Sequence, residues 1–412
     1  MTTRHTENPA LPAEPAGPRL RFDRSEAAGS LGDLGTFIPL LVGMVHRCGL
    51  QLGPALFFAG LMNVVTGLTF GIPMPVQPMK AIATVAIAEG LNESQILAAG
   101  ILTGAAVLLL ALTGMVDRLQ RAIPRSVVRG LQLALGLKLI ELGFRQVAGT
   151  NVWIGWDSIG LGLLCAVLVL LLYFSTRVPG ALVVFGLGLV ALVCAHPALL
   201  SELRFGMDWQ MPRLAGTHAW TTGFWRGTVP QLPLTLLNSV VAVCALSADL
   251  FPQRPARPRG VAVSVALMNL ACCPLGAMPM CHGTGGLAGQ YRFGARTGGS
   301  VVILGAAKML LAVSAGGCLL AWLQGYPQSV LGVLLLFSGL ELAMVCRDQT
   351  SRVDFFVMAL TAGACMALNA TVGFLVGWAM AAALIWGVFR IEPPPNGPAT
   401  ITGDRANARS PG

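Results

Sequence analysis

The sequence predicts an all-α polytopic membrane protein of fourteen transmembrane segments, arranged as a 7+7 inverted repeat with short half-helices as segments 3 and 10. Three observations lead there: a composition too apolar for a water-exposed surface, a succession of apolar runs of membrane-crossing length, and two short Pro/Gly-broken segments at matching places in the two halves.

Of 412 residues, 55% are hydrophobic and only 11% are charged, and the mean hydropathy is +0.71. Soluble domains run nearer a quarter charged. The 50 glycines and 26 prolines fit bundled membrane helices, in which small residues let backbones approach. The ten cysteines lie in or beside apolar segments without extracellular disulfide spacing, and are read as small buried hydrophobes. The net charge of +9 comes from arginines scattered between apolar runs, which excludes a nucleic-acid stripe and suits membrane orientation instead.

Residues 1–25 are polar and proline-rich, without the apolar core of a signal peptide, so they are expected to form a disordered cytoplasmic tail. Full-length segments are expected at 28–46, 52–72, 94–115, 125–144, 157–175 and 179–196, and again at 229–248, 259–277, 299–322, 328–346, 353–368 and 370–389. Two stretches are too short to cross as full helices; one opens at Gly71-Ile72-Pro73-Met74-Pro75, the other at Met278-Pro279-Met280-Cys281. The first repeat then spans 26–196, an extracytoplasmic loop covers 197–228, and the second repeat spans 229–390. A disordered cytoplasmic tail, 391–412, follows, with no C-terminal regulatory domain. Most Lys and Arg fall on the side of the N-terminus, among them Arg118/Arg121/Arg125 and Arg254/Arg257/Arg259, which places both termini in the cytosol, of a bacterial inner membrane on this reading.

The halves echo each other. Pro124-Arg125-Ser126-Val127 leads to Ile140-Glu141-Leu142, as Pro327-Gln328-Ser329-Val330 leads to Leu340-Glu341-Leu342, and Asn63 precedes the first broken segment as Asn269 precedes the second. Seven spans are an odd number, so the second half enters from the opposite side.

Corresponding broken helices point to a midplane binding site. In Pro75-Val76-Gln77-Pro78-Met79-Lys80 the prolines set up a helix start whose N–H groups and dipole face an anion. Gln77 is expected to donate a hydrogen bond there, and Lys80 to add a full charge. The blander roles are snorkelling for Lys80 and capping for Gln77. A partner half-helix begins at Cys281-His282-Gly283-Thr284-Gly285-Gly286, where glycines let a small ligand approach the backbone. His282 is read as a donor to substrate, a proton-sensitive gate or a packing residue. Its Gly283-x-Gly285-x-x-Ala288 spacing lacks the βαβ setting of a nucleotide site. Cys272, Cys273, Cys281 and His282 lack structural-zinc spacing, so neither metal nor cofactor is expected.

The first span carries Gly32-Asp33-Leu34-Gly35-Thr36, whose glycines point to an unwound stretch facing a cavity. Its counterpart holds Gln231, Asn238 and Ser239. Asp33, ionisable inside a span, is a functional candidate, with helix capping as the alternative. Lys138 stands one turn before Glu141 and is placed to neutralise it, whereas Glu341 has no comparable local partner.

The strings Gly32-Asp33-Leu34-Gly35-Thr36-Phe37-Ile38-Pro39, Pro75-Val76-Gln77-Pro78-Met79-Lys80, Gln231-Leu232-Pro233-Leu234-Thr235-Leu236-Leu237-Asn238-Ser239 and Cys281-His282-Gly283-Thr284-Gly285-Gly286, with Tyr291-Arg292-Phe293-Gly294-Ala295-Arg296 after them, closely resemble the molybdate transporter family related to sulfate permeases. The resemblance covers roughly residues 22–390. It implies the uracil-permease-like 7+7 fold, with a core of segments 1–4 and 8–11 and a gate of 5–7 and 12–14. It further implies substrate between half-helices 3 and 10, bound by Asp33, Thr36, Gln77, Pro78, Met79, Lys80, Gln231, Asn238, Ser239, His282, Gly283, Thr284, Gly285 and Gly286. The function expected is secondary-active transport of a tetrahedral oxyanion, molybdate first, with sulfate transport or a nucleobase permease as the alternatives. A coupling proton or cation and a homodimer are left open. No nucleophile or paired-histidine constellation supports an enzyme, and the partners expected are the oxyanion and the lipid bilayer.

Overall fold

The computed structural model describes residues 19–116, 118, 122–175, 179–200, 206, 209–212, 216–389 and 391. Expectations for residues 1–18 and 392–412, for Arg121 and for much of 201–215 lie outside the described residues. The described chain is a helical membrane protein of fourteen principal helices.

In chain order they are α1 Arg24–Cys48, α2 Leu52–Phe70, α3 Lys80–Glu89, α4 Glu93–Leu112, α5 Arg125–Gly149, α6 Ile159–Leu172 and α7 Gly180–Ala195. The second set is α8 Thr217–Leu250, α9 Pro258–Leu275, α10 Thr284–Arg292, α11 Gly299–Gln324, α12 Gln328–Asp348, α13 Arg352–Ala367 and α14 Ala370–Ile385. Polar caps fix several starts. Asn92 and Gln95 form a reciprocal capping box on α4, and both Asp157 carboxylate oxygens accept from the first N–H groups of α12, Gln328 and Ser329, at 2.9 Å.

Three boundaries differ from the sequence reading. The N-terminal tail is ordered from Arg19: its carbonyl accepts from Gly298, Arg21 N–H donates to Thr297, and the buried Glu26 carboxylate accepts from Arg296 and Thr297 backbone N–H groups. These groups needed partners inside the protein, and chain 271 residues away supplies them. The expected unwound stretch of the first span is helical, with only a tight 3₁₀ turn at Leu31–Asp33. Helix α8 starts at Thr217, well inside the predicted loop 197–228. It carries two π-helical stretches, Gly223–Thr228 and Thr235–Ala242. The second follows Pro230 and Pro233, whose missing N–H groups break the regular ladder.

The tightest packing pairs α2 with α11 and α5 with α12. Each crossing is made by facing glycines. A Cβ at Gly60 would lie 2.6 Å from the Gly305 carbonyl, and one at Gly136 would lie 2.7 Å from the Gly339 carbonyl. Without those methyls the backbones touch, which is how helices gain packing where no hydrophobic drive separates protein from lipid.

Between these pairs sit the short elements. Strands β1 (Gln77–Pro78) and β2 (Met280–Cys281) run antiparallel, pairing Gln77 with Cys281 and Pro78 with Met280. Met79 N–H continues the ladder to Pro279 O at 2.8 Å. Each strand leads into a short helix, α3 or α10. Extended backbone at membrane depth must satisfy its polar groups within the protein, and here the two strands satisfy each other. Asn269 adds a bidentate clamp, donating to Met280 O at 2.6 Å and accepting from Met280 N at 2.8 Å.

Candidate substrate site

A cavity of about 450 Å³ opens where α1, α3, α8 and α10 face α5, α6 and α12. Polar groups on its wall include Thr36 from α1, Lys80 and Thr84 from α3, Gln132 from α5, Asn238 from α8, Thr284 and Arg292 from α10, and Glu341 from α12. Lys80 is the first residue of α3, so its side chain leaves from the broken end of that helix. A Cβ at Gly285 would lie 4.0 Å from the Lys80 ammonium, which sets the start of α10 directly beside that charge.

The helix ends differ in what they offer. At α3 the Gln231 carboxamide oxygen accepts from Ala81 and Ile82 N–H, at 2.9 and 3.3 Å, and Gln231 donates onward to Thr235 at 3.0 Å. A neutral amide therefore occupies first-turn donors that sequence reasoning left free for an anion. At α10 the Thr284 hydroxyl donates to Asn238 Oδ1 at 3.0 Å. Among the described residues, no protein acceptor takes the N–H of Thr284 or Gly285.

Of fourteen residues proposed from sequence, five line the cavity: Thr36, Lys80, Asn238, Thr284 and Gly285. The rest sit behind its wall. Asp33 and Gln77 are both fully buried, and the Gln77 amide donates to Asp33 at 2.6 Å. Gly286 makes that pairing fit, because a Cβ there would lie 2.5 Å from Asp33 Oδ1 and 2.6 Å from Gln77 Nε2. At Gly283 a Cβ would run into Gln77 Oε1. Pro78 and Met79 are engaged in the strand pair and its extension. Ser239 is buried beside the Cys281 thiol.

His282 has neither nitrogen free for substrate. Its Nδ1 meets Pro75 O at 2.8 Å and its Nε2 meets Ser264 Oγ at 3.0 Å, while Phe70 packs edge-on against the ring. The imidazole ties one broken segment to the other. Glu141 also departs from expectation: it pairs with Arg145 at 2.6 Å, and Lys138 reaches instead to Glu89 at 2.9 Å.

Sequence reasoning missed Lys308. This lysine of α11 is buried, donates to Asn63 Oδ1 at 3.0 Å, lies 3.5 Å from the Phe37 ring centre, and is close enough to Asp33 to interact with its charge. A lone ionisable residue in an apolar run was the available signal. Gln132 and Thr84 gave weaker ones.

The molybdate transporter family model, described as "Molybdate transporter of MFS superfamily", matches residues 25–139 and 223–342. The chain belongs to the molybdate transporter family. It is 41% identical over 397 residues to Molybdate transporter 1 of Arabidopsis thaliana, covering 87% of each chain. Molybdate transporter 1 of Chlamydomonas reinhardtii is 36% identical over 468 residues, covering 86% of this chain and 90% of its own. By structure, the chain resembles the transmembrane domain of a cyanobacterium bicarbonate transporter, BicA, with TM-score 0.62 and 13% identity over 87% of this chain and 97% of that one. Murine Solute Carrier 26 family member A9, an anion transporter solved in the inward-facing state, gives TM-score 0.63 and 14% identity over 89% of this chain and 69% of that one. As a family member the chain is an integral membrane transporter, not an enzyme, and its fold is that of these anion transporters.

Proposed function

We propose that the chain is a secondary-active transporter of a tetrahedral oxyanion, molybdate first, which it binds between the starts of α3 and α10 and carries by alternating access. One observation carries the reading: the Lys80 charge and the uncapped start of α10 face the same cavity. A helix N-terminus contributes about 0.3–1 kcal/mol, rising to about 2 kcal/mol when partly buried. Micromolar binding needs roughly 8 kcal/mol, so Lys80 and the hydroxyl and amide donors Thr36, Thr84, Gln132, Asn238 and Thr284 must supply the rest. The buried residues Asp33, Gln77, Gln231, Ser239, His282, Gly283 and Gly286, with Pro78 and Met79, hold the two broken helices in place.

The 7+7 inverted repeat is supported by the α5–α12 crossing, which joins a helix of the first half to its counterpart in the second, and by the α2–α11 contact, which is mirrored by the contact of their counterparts α9 and α4. Rocking of one helix group against the other would then expose the cavity to alternate sides. The arginine distribution supports an orientation with both termini in the cytosol.

Reconstitution of the purified chain into liposomes, with molybdate uptake measured against competing tungstate, sulfate and uracil, tests the function. Uptake competed by oxyanions and untouched by uracil is expected. Strongest competition by sulfate would reassign the substrate, competition by uracil would restore the nucleobase reading, and the absence of molybdate uptake would sink the proposal.

A further inference from the structure

The charges around the cavity do not balance for a dianion. Lys80 and Arg292 bring two positive charges to the wall, and Glu341 brings one negative charge. Behind the wall, Asp33 and Lys308 offset one another. Glu341 has no ion-pair partner within 4.0 Å among the described residues, unlike Glu89, Glu141 and Asp348, which are each paired. The groups facing it are Lys80 from α3, the Tyr173 hydroxyl next to the end of α6 and Arg292 across the cavity, while Arg347 follows on its own helix and acts on the same tyrosine. Tyr173 also contacts Met344 Sδ at 3.7 Å, one turn along α12 from Glu341.

We propose that Glu341 is the proton-binding group of the transport cavity, taking up one proton as an oxyanion dianion enters, so that solute and proton move together. With Glu341 ionised, a loaded cavity holds two positive and three negative charges; with Glu341 neutral, two face two. Glu341 and Arg292 are exposed while the cavity is open, so the repulsion between the carboxylate and the dianion becomes costly as alternating access closes the cavity around them. The least disruptive way to remove it is to protonate the carboxylate, since neutralisation is the usual response of a carboxylate held against like charge. The step is a proton transfer: a hydronium ion gives its proton to a Glu341 oxygen, one O–H bond forms, one breaks, and water leaves. Release of the dianion on the other side restores the repulsion-free ionised form, and the proton departs. Tyr173, beside the carboxylate, is suited to hold either form, because a phenol both donates and accepts.

This inference rests on the oxyanion-transport reading, and the test separates the two. Molybdate is titrated into the purified full chain in weakly buffered detergent solution near pH 7, with an indicator dye reporting protons taken up, and affinity is measured from about pH 6 to about pH 8, where molybdate itself carries no proton. Wild type is expected to absorb up to about one proton per molybdate bound, and its affinity to fall by up to about tenfold per pH unit. Glu341→Gln should bind molybdate with no proton uptake and a flat pH profile, and Glu341→Asp should keep both wild-type behaviours. Molybdate binding by wild type without proton uptake overturns the inference and leaves the transport reading standing. So does proton uptake that survives in Glu341→Gln but vanishes in Asp33→Asn. No molybdate binding by wild type would remove the oxyanion site and this inference with it.

Discussion

The Gln77 side-chain amide donates to the Asp33 carboxylate at 2.6 Å, joining the first broken segment to α1 where neither residue touches the cavity. Gly286 of the other broken segment closes over this bond. The bond therefore locks three separate pieces of the candidate site to one another.

Gly286→Ala should disrupt that lock. The added methyl meets Asp33 and Gln77 near 2.5 Å, and relief of such crowding costs about 1–3 kcal/mol. A lower melting temperature in detergent and weaker molybdate binding are expected. Wild-type values for both would show that the loop shifts freely, and that the fit at Gly286 is unimportant.

Lys80→Ala should weaken molybdate binding by about ten- to a hundredfold, the loss of a charge-assisted contact of about 1.5–3 kcal/mol. Lys80→Arg should fall between, because charge is kept but the larger planar fork fits a different geometry. Calorimetry on the purified variants decides this. An alanine variant that binds within about twofold of wild type takes Lys80 out of the site.

His282→Phe leaves Pro75 O and Ser264 without their ring partner, at about 1–3 kcal/mol for each buried group left unpaired. Stability should drop while the molybdate affinity of the folded fraction holds within about threefold. A large loss of affinity at unchanged melting temperature would return His282 to the role of substrate donor.

Glu89 at the end of α3 bridges Lys138 of α5 at 2.9 Å and Arg226 of α8 at 2.7 Å. Glu89→Gln and Lys138→Met should each destabilise the protein, and their combination should cost less than the sum, with a coupling of about 0.5–3 kcal/mol. Additive losses in the double-mutant cycle would mean that the contact contributes nothing of its own.

The helices were legible because a bilayer imposes length and apolarity on every crossing, and the broken segments because Pro73, Pro75, Pro78, Pro279 and the Gly283–Gly286 cluster advertise them. Which polar side chain faces solute was not. Backbone interrupted inside a membrane needs internal hydrogen-bond partners, so polar residues clustered at a break serve the backbone as readily as a ligand. Gln231 caps α3 and His282 holds Pro75 for that reason, while the equally predicted Thr36, Asn238 and Thr284 reach the cavity. Sequence spacing does not distinguish the two groups. The early start of α8 at Thr217 was hidden because Thr217–Thr228 is too polar to read as a crossing, and Lys308 because its partners Asn63 and Phe37 lie on helices far along the chain.

That distance matters while the protein is being made. Asn63 and Lys308 are 245 residues apart, and Gly60 and Gly305 are just as far separated. At ribosomal rates of roughly 5–20 residues per second, α2 sits in the bilayer for on the order of 10–50 seconds with its glycine face against lipid and its asparagine without the lysine, until α11 emerges from synthesis and fills both.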